Sequence, residues 1–271
     1  MSRTVEFTGT TAVVTGGASG IGKGLARAFL ASGCHVVIAD VDEAALAAAA
    51  HELGVLGVRT DVTDPDSVSA LAERAVAEFG EVHVVCNNAG VGPQGPIAGL
   101  GLDDWRWMLD VNLYGVIHGL QAFLPVLERN DDWGQVVNTS SMSVFFPPAG
   151  LGPYVAGKAA VLGLTEVLAA ELQAAGSLVG ATALLPGAVH SNIKNSLRTR
   201  PSTGATALRD VDVSLSGRHR FLDPEDVGAM VVEAVRRNDP YVVTHGEWLP
   251  RAADRHARLQ AAFPAEDAVA G

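Results

Sequence analysis

The run Thr11-Ala12-Val13-Val14-Thr15-Gly16-Gly17-Ala18-Ser19-Gly20-Ile21-Gly22 decides how the rest of the chain is read. Its first five residues are apolar or β-branched and predict a strand, Thr11–Thr15. The glycines after it predict a tight turn, and Leu25, Ala28 and Phe29 continue at helical spacing. Glycine at 16, 20 and 22 lets the backbone bend sharply. It also leaves main-chain N–H groups open at a helix N-terminus, a favourable place for a pyrophosphate. A Gly-x-x-x-Gly-x-Gly skeleton is easily met by chance in a chain with 30 glycines. Its place between a first strand and a first helix makes it informative.

The same alternation continues along the chain. Strands are predicted at Thr11–Thr15, His35–Ala39, Val55–Thr60, Val82–Asn87, Gln135–Ser140, Gly180–Leu185 and Tyr241–Thr244. Most are apolar throughout, as strands covered on both faces are. Helical patterns fill the gaps, and Asp64-Pro65 and Asp223-Pro224 each place a capping carboxylate before a proline at the first helical position. The expectation is a single α/β domain over residues 1–271 with a doubly wound, seven-stranded parallel sheet. The polar stretch 190–222 is too long for a routine connection and is expected to be a lid over a substrate, with a tail at 263–271.

Thirty acidic against nineteen basic residues give a formal charge of −11. Such a charge repels nucleic acid and anionic lipid, so neither is expected as a partner. Cys34 and Cys86 lie in apolar runs, which suits free buried thiols in a reducing compartment. The N-terminus lacks a secretory apolar stretch, and a cytoplasmic location is expected. Eight scattered histidines show no metal-ligand spacing, so no metal is expected.

Residues able to do chemistry lie at predicted strand ends and on two helices. Asp40 closes the second strand, where a carboxylate can accept from an adenosine ribose. Asn112 falls on or beside the apolar stripe of a helix running from about Asp104, and a buried amide needs partners. Tyr154 and Lys158 stand four apart at a helix start and share a face, so an ammonium can lower a nearby phenol toward neutrality. One charge ~6 Å away at an effective dielectric of ~20 supplies ~3 kcal/mol of the ~4 needed. Ser140 and Ser141 end the fifth strand, and Ser141 puts a hydroxyl at the carboxyl edge where open α/β sheets bind ligands.

Taken together these residues resemble the short-chain dehydrogenase/reductase family over almost the whole chain. Its pattern is matched by Thr15-Gly16-x-x-x-Gly20-Ile21-Gly22, Asp61-Val62, Asn87-Asn88-Ala89-Gly90, Asn112, Ser141, Tyr154-x-x-x-Lys158 and Pro186-Gly187-x-Val189-x-Ser191. The resemblance implies a Rossmann domain and hydride transfer between a nicotinamide cofactor and a secondary alcohol or ketone. It implies that Gly16, Ser19, Gly20, Ile21 and Gly22 hold the pyrophosphate side, Asp61 and Val62 the adenine, Asn88, Ala89 and Gly90 the cofactor's flank, and Pro186, Gly187, Val189 and Ser191 the nicotinamide. Tyr154 would be the acid/base, Ser141 would steady the substrate oxygen, and Lys158 would hold the ribose. Asn112 would fix a relay water. The chain departs from the pattern at Gly157, Val144 and Ser191, which bears on pocket shape.

Asp40 with the neutral Ser19 points to NAD over NADP, because a ribose 2′-phosphate would meet about 6 kcal/mol of repulsion at ~5 Å and a dielectric of ~20. Met142, Phe145, Phe146, Pro147, Pro148 and Leu151 favour an apolar, cyclic substrate. The helices from about Asp104 and from Pro153 are apolar over more surface than one sheet contact needs, suggesting a homodimer or homotetramer. Two other readings use the same cofactor: a non-catalytic regulator, and an isomerase or dehydratase.

Overall fold

The computed structural model describes residues 5–201, 205–211 and 220–264. Seven strands form one parallel sheet: β1 Thr11–Thr15, β2 His35–Asp40, β3 Leu56–Arg59, β4 Val84–Asn87, β5 Gly134–Thr139, β6 Val179–Leu185 and β7 Tyr241–Val243. Their order across the sheet is β3-β2-β1-β4-β5-β6-β7. Direction of winding reverses between β1 and β4, and such a reversal opens a crevice at the carboxyl ends of the strands.

Eight α-helices accompany the sheet among the described residues: α1 Gly20–Ala31, α2 Glu43–Leu53, α3 Pro65–Phe79, α4 Leu102–Leu109, α5 Gly115–Leu127, α6 Gly152–Ala174, α7 Pro224–Arg237 and α8 Leu249–Gln260. Neighbouring residues of a strand serve opposite faces. Val14, Ile38, Val84 and Val137 pack with Leu25, Phe29 and Val231, whereas Val13, Val37, Val85 and Val136 pack with Leu71, Phe123 and Leu168. Two buried faces explain why the strands read as unbroken apolar runs. On the first face α1 and α7 approach so closely that a Cβ on Gly228 would lie 2.4 Å from the Gly24 carbonyl oxygen.

Two local expectations are corrected. Asp64 caps α3 by accepting from Asp66 N at 3.0 Å, but the Asp223 side chain makes no capping bond to α7. There the N–H of Asp226 goes to the main-chain oxygen of Asp223 at 3.1 Å instead. Nor is the helix from about Asp104 continuous: α4 and α5 are separated by a π turn, Asp110–Tyr114. Its cause is Asn112, whose Nδ2 donates to the Met108 carbonyl at 3.0 Å and so enters the i to i−4 ladder.

Segment 190–222 is woven into the fold where it is described, and 202–204 and 212–219 lie outside the described residues. Val189 bridges to Leu222 and Gln94 to Arg209. Of the expected tail at 263–271, residues 265–271 lie outside the described residues. Among the described residues no helix is long and apolar enough to cross a membrane.

Candidate active site

Gly16 and Gly20 take φ of +64° and +49°, the left-handed region that side chains disfavour. A Cβ at Gly16 would lie 2.9 Å from Ala89 Cα, and one at Gly20 would lie 2.7 Å from Ser191 Cβ. The turn after β1 therefore touches the loops after β4 and β6, bringing the predicted Gly16–Gly22, Asn88–Gly90 and Pro186–Ser191 groups to one crevice. Ser19 precedes α1 without capping it through its hydroxyl. Ile21 is half-buried against the core and Gly22 is buried in α1.

Asp40 ends β2 with its carboxylate tied on both sides, accepting from Ala18 N at 3.2 Å and Asp42 N at 3.1 Å. Lys23, a turn into α1, is paired with Glu52 at 2.6 Å, and Arg59, opposite Asp40 on β3, with Glu43 at 2.9 Å. Asp61 turns one oxygen back onto Thr63, accepting from its N at 2.9 Å and its Oγ1 at 2.8 Å. Val62 is buried beside it. Gly187 N donates to Thr244 Oγ1 at 2.9 Å, Pro186 O accepts from Met142 N at 3.0 Å, and Val189 is buried. These bonds hold the β6 loop against the serine turn.

The two serines at the end of β5 differ in role. Ser140 donates to the Lys158 carbonyl at 2.7 Å, an internal tie to α6. Ser141 is the one that faces the Tyr154 phenol, and its hydroxyl acts to lower that group's pKa. Lys158 is 2% exposed, and its Nζ donates to Thr139 O at 2.8 Å. Burial pulls this ammonium down to about 8. Beside it runs Gly90, where a Cβ would sit 3.3 Å from Nζ and 3.0 Å from Asn112 Oδ1.

The expected lowering of the tyrosine by Lys158 is corrected here: burial pushes Tyr154 above its ordinary value, and the nearby Ser141 hydroxyl offsets this only in part. Desolvating a phenolate outweighs one hydrogen bond. Asn112 is fully buried, and its Nδ2 donates to Val91 O at 2.8 Å and Met108 O while its Oδ1 accepts from Val91 N at 3.2 Å. Both amide hydrogens are therefore spent on backbone.

Three further residues support the site, and of these only Thr15 belongs to a motif. Thr15 Oγ1 accepts from Asn88 N at 3.0 Å and Ala89 N at 3.1 Å, fixing the β4 loop to β1. Thr244 anchors Gly187, and the Ser143 hydroxyl is buried with no hydrogen-bond partner among the described residues. Neither Thr244 nor Ser143 has a spacing partner to reveal it. Gly157, a departure from the family pattern, faces Asn112: a Cβ there would lie 3.3 Å from Asn112 Cβ. Both cysteines are free and buried, and burial raises both thiols. Among the described residues no cluster of three His, Cys, Asp or Glu is placed to hold a metal ion.

A family model described as short chain dehydrogenase matches residues 10–202. The chain is 36% identical over 248 residues to a probable oxidoreductase, EphD, of Mycobacterium tuberculosis, which covers 86% of this chain and 40% of that protein. It thus spans about two fifths of that relative's length. It is 35% identical over 269 residues to the 1-deoxy-11-beta-hydroxypentalenate dehydrogenase of Streptomyces exfoliatus, with 94% of this chain and 92% of that one covered. The crystal structure of a short chain dehydrogenase/reductase from Burkholderia phymatum in complex with NAD superposes with a TM-score of 0.89 at 35% identity, over 97% of this chain and 99% of that one. On these matches the chain belongs to the short-chain dehydrogenase/reductase family of oxidoreductases.

Proposed function

We propose that the chain is an NAD(H)-dependent enzyme interconverting a secondary alcohol and a ketone on an apolar, cyclic small molecule. The observation that carries this is the buried Lys158: an ammonium has three donors, and one is spent on Thr139 O. The others suit ribose hydroxyls, and the left-handed glycines and the tied Asp40 carboxylate suit a pyrophosphate and an adenosine ribose. When bound, the nicotinamide would supply or take the hydride, and its oxidised form would add positive charge.

The protein's own part is proton transfer and positioning. Tyr154 gives its phenolic proton to the substrate oxygen in reduction and takes it back in oxidation. Ser141 donates to that oxygen as charge develops on it. Lys158 would hold the ribose hydroxyls with the donors that Thr139 O leaves free. The Asn112 side chain is committed to Val91 and Met108, so any part in a relay falls to its main-chain carbonyl. Asp61, Val62, Asn88, Ala89, Gly90 and the 186–191 loop line the cofactor's path.

The substrate reading is supported by Phe145 and Phe146 after the Ser141 turn, with Phe146 edge-on to Trp248 at 5.4 Å. It is also supported by the hydroxypentalenate dehydrogenase, by its name an enzyme acting on a hydroxylated compound. NAD over NADP follows from Asp40 and from Lys23 being occupied by Glu52. We place the protein in the cytoplasm from its thiols and charge, and in a homodimer or homotetramer from its exposed Tyr114 and Val167. Absorbance at the reduced-nicotinamide band, followed with cyclic alcohols plus NAD and cyclic ketones plus NADH, tests the activity. Cofactor binding without any change in that band would favour a regulator, an isomerase or a dehydratase.

A further inference from the structure

We infer that Arg200 and Asp104 form a buried clamp that fastens residues 191–200 as a strap across the cofactor crevice, so that ligand exchange requires the clamp to open. The inference rests on the proposal that the crevice holds a nicotinamide dinucleotide. Arg200 Nη2 meets Asp104 Oδ1 at 2.7 Å, with side chains 7% and 2% exposed. Thr206 Oγ1 donates to the same oxygen at 2.7 Å, and Gly101 N donates to the other at 3.1 Å. Asp104 therefore ties both Arg200 and Thr206 to the first turn of α4. Such a pair is costly to form but more costly to break on one side, because the remaining charge stays buried.

The strap's course is set by three further contacts. Ser191 packs on Gly20 of the glycine turn. Ile193 lies against Gly92 beside Tyr154, a Cβ at Gly92 falling 3.0 Å from Ile193 Cγ1 and 3.7 Å from Tyr154 Cε2. Arg198 reaches Asp42, two residues past Asp40, at 3.5 Å. The segment thus runs from the glycine turn past the tyrosine and across toward the ribose end, with the surface pair at one flank and the buried pair at the other. Arg200 Nε is buried and unpartnered among the described residues, so the ion pair through Nη2 carries Arg200's hold on Asp104 there. Arg200 and Asp104 act through the strap and are positioning residues.

The test compares wild type with Arg200→Gln, Asp104→Asn and the conservative Arg200→Lys in the full chain. Two rates are read: trypsin cleavage after Lys194 and Arg198, and dissociation of NADH by stopped-flow fluorescence. The clamp predicts that Arg200→Gln and Asp104→Asn raise each rate at least tenfold, while Arg200→Lys stays within about threefold of wild type. The substrate KM should rise with kcat little changed or higher, and circular dichroism should stay native. Unchanged cleavage in correctly folded variants would overturn the clamp whatever the chemistry. Faster cleavage with NADH dissociation unchanged would overturn the strap's hold on the crevice. Failure of wild type to bind NADH would instead reject the cofactor reading, and the cleavage rates would still decide the clamp.

Discussion

The Lys158 ammonium donates to the Thr139 carbonyl at 2.8 Å from a position closed to solvent, and that burial brings its pKa down to about 8 from the ordinary 10.5. The difference corresponds to about 3 kcal/mol of disfavoured charge, to be set against one hydrogen bond. Below about pH 8 both folded and unfolded chains hold the proton, and the folded state bears the full cost. Between about 8 and 10.5 the unfolded chain binds a proton that the folded one has lost, so this group makes stability rise with pH.

Lys158→Met is therefore expected to stabilise the ligand-free protein at pH 7 by about 1 kcal/mol while abolishing turnover and weakening cofactor binding. Its advantage should shrink as pH rises through 8 toward 10. Cys86, Cys34 and Tyr154, all raised, pull stability the other way at high pH, so the variant must be read as a difference from wild type. Urea midpoints at several pH values give that difference. A variant less stable than wild type at pH 7 would show the ammonium to be a net structural asset.

Thr15 supplies one oxygen to two main-chain donors of the β4 loop. Thr15→Val keeps the shape and removes the acceptor. Two N–H groups left without it should cost about 2–3 kcal/mol and loosen Asn88 to Gly90. Chemical denaturation and NADH titration check this, with cofactor affinity expected to fall at least tenfold.

Asp40 cannot swing away from a bound ribose without losing its bonds to Ala18 and Asp42. Asp40→Ala should lower kcat/KM with NAD and raise it with NADP, reversing or nearly abolishing the preference. Equal use of both cofactors by the unmodified enzyme would contradict the argument, and Arg198 beside Asp42 would then be the basic group to examine.

Tyr114 and Val167 are half exposed on elements that flank the same face of the sheet. Light scattering at micromolar concentration should give a mass of two or four chains, and Val167→Asp should lower it. A monomeric mass for the unmodified protein would leave those side chains without a partner.

All seven strands lie within two residues of their sequence-predicted bounds, because burial on both faces enforces apolar runs that end where the sheet ends. The places of the glycine turn, Asp40, Ser141 and the Tyr154–Lys158 pair in the fold are legible for a related reason: each sits at a strand end or on one helix face. The π turn is not, since apolar residues continue at helical spacing through Asn112. Nor is the direction of the Tyr154 shift, which depends on how deeply the phenol is packed. The Asp104–Arg200 pair joins residues far apart in the chain, and no periodicity announces such a contact.

On the proposed function, Tyr154 moves the proton that accompanies hydride transfer. Its most direct test is the rate of reduced-nicotinamide formation by Tyr154→Phe with the best alcohol found for wild type, alongside NADH titration of both proteins. Losing a positioned acid/base group typically costs 10²–10⁴-fold, so the rate should fall at least ~100-fold while NADH affinity stays within about threefold. A variant that keeps more than about a tenth of the wild-type rate would contradict the assignment.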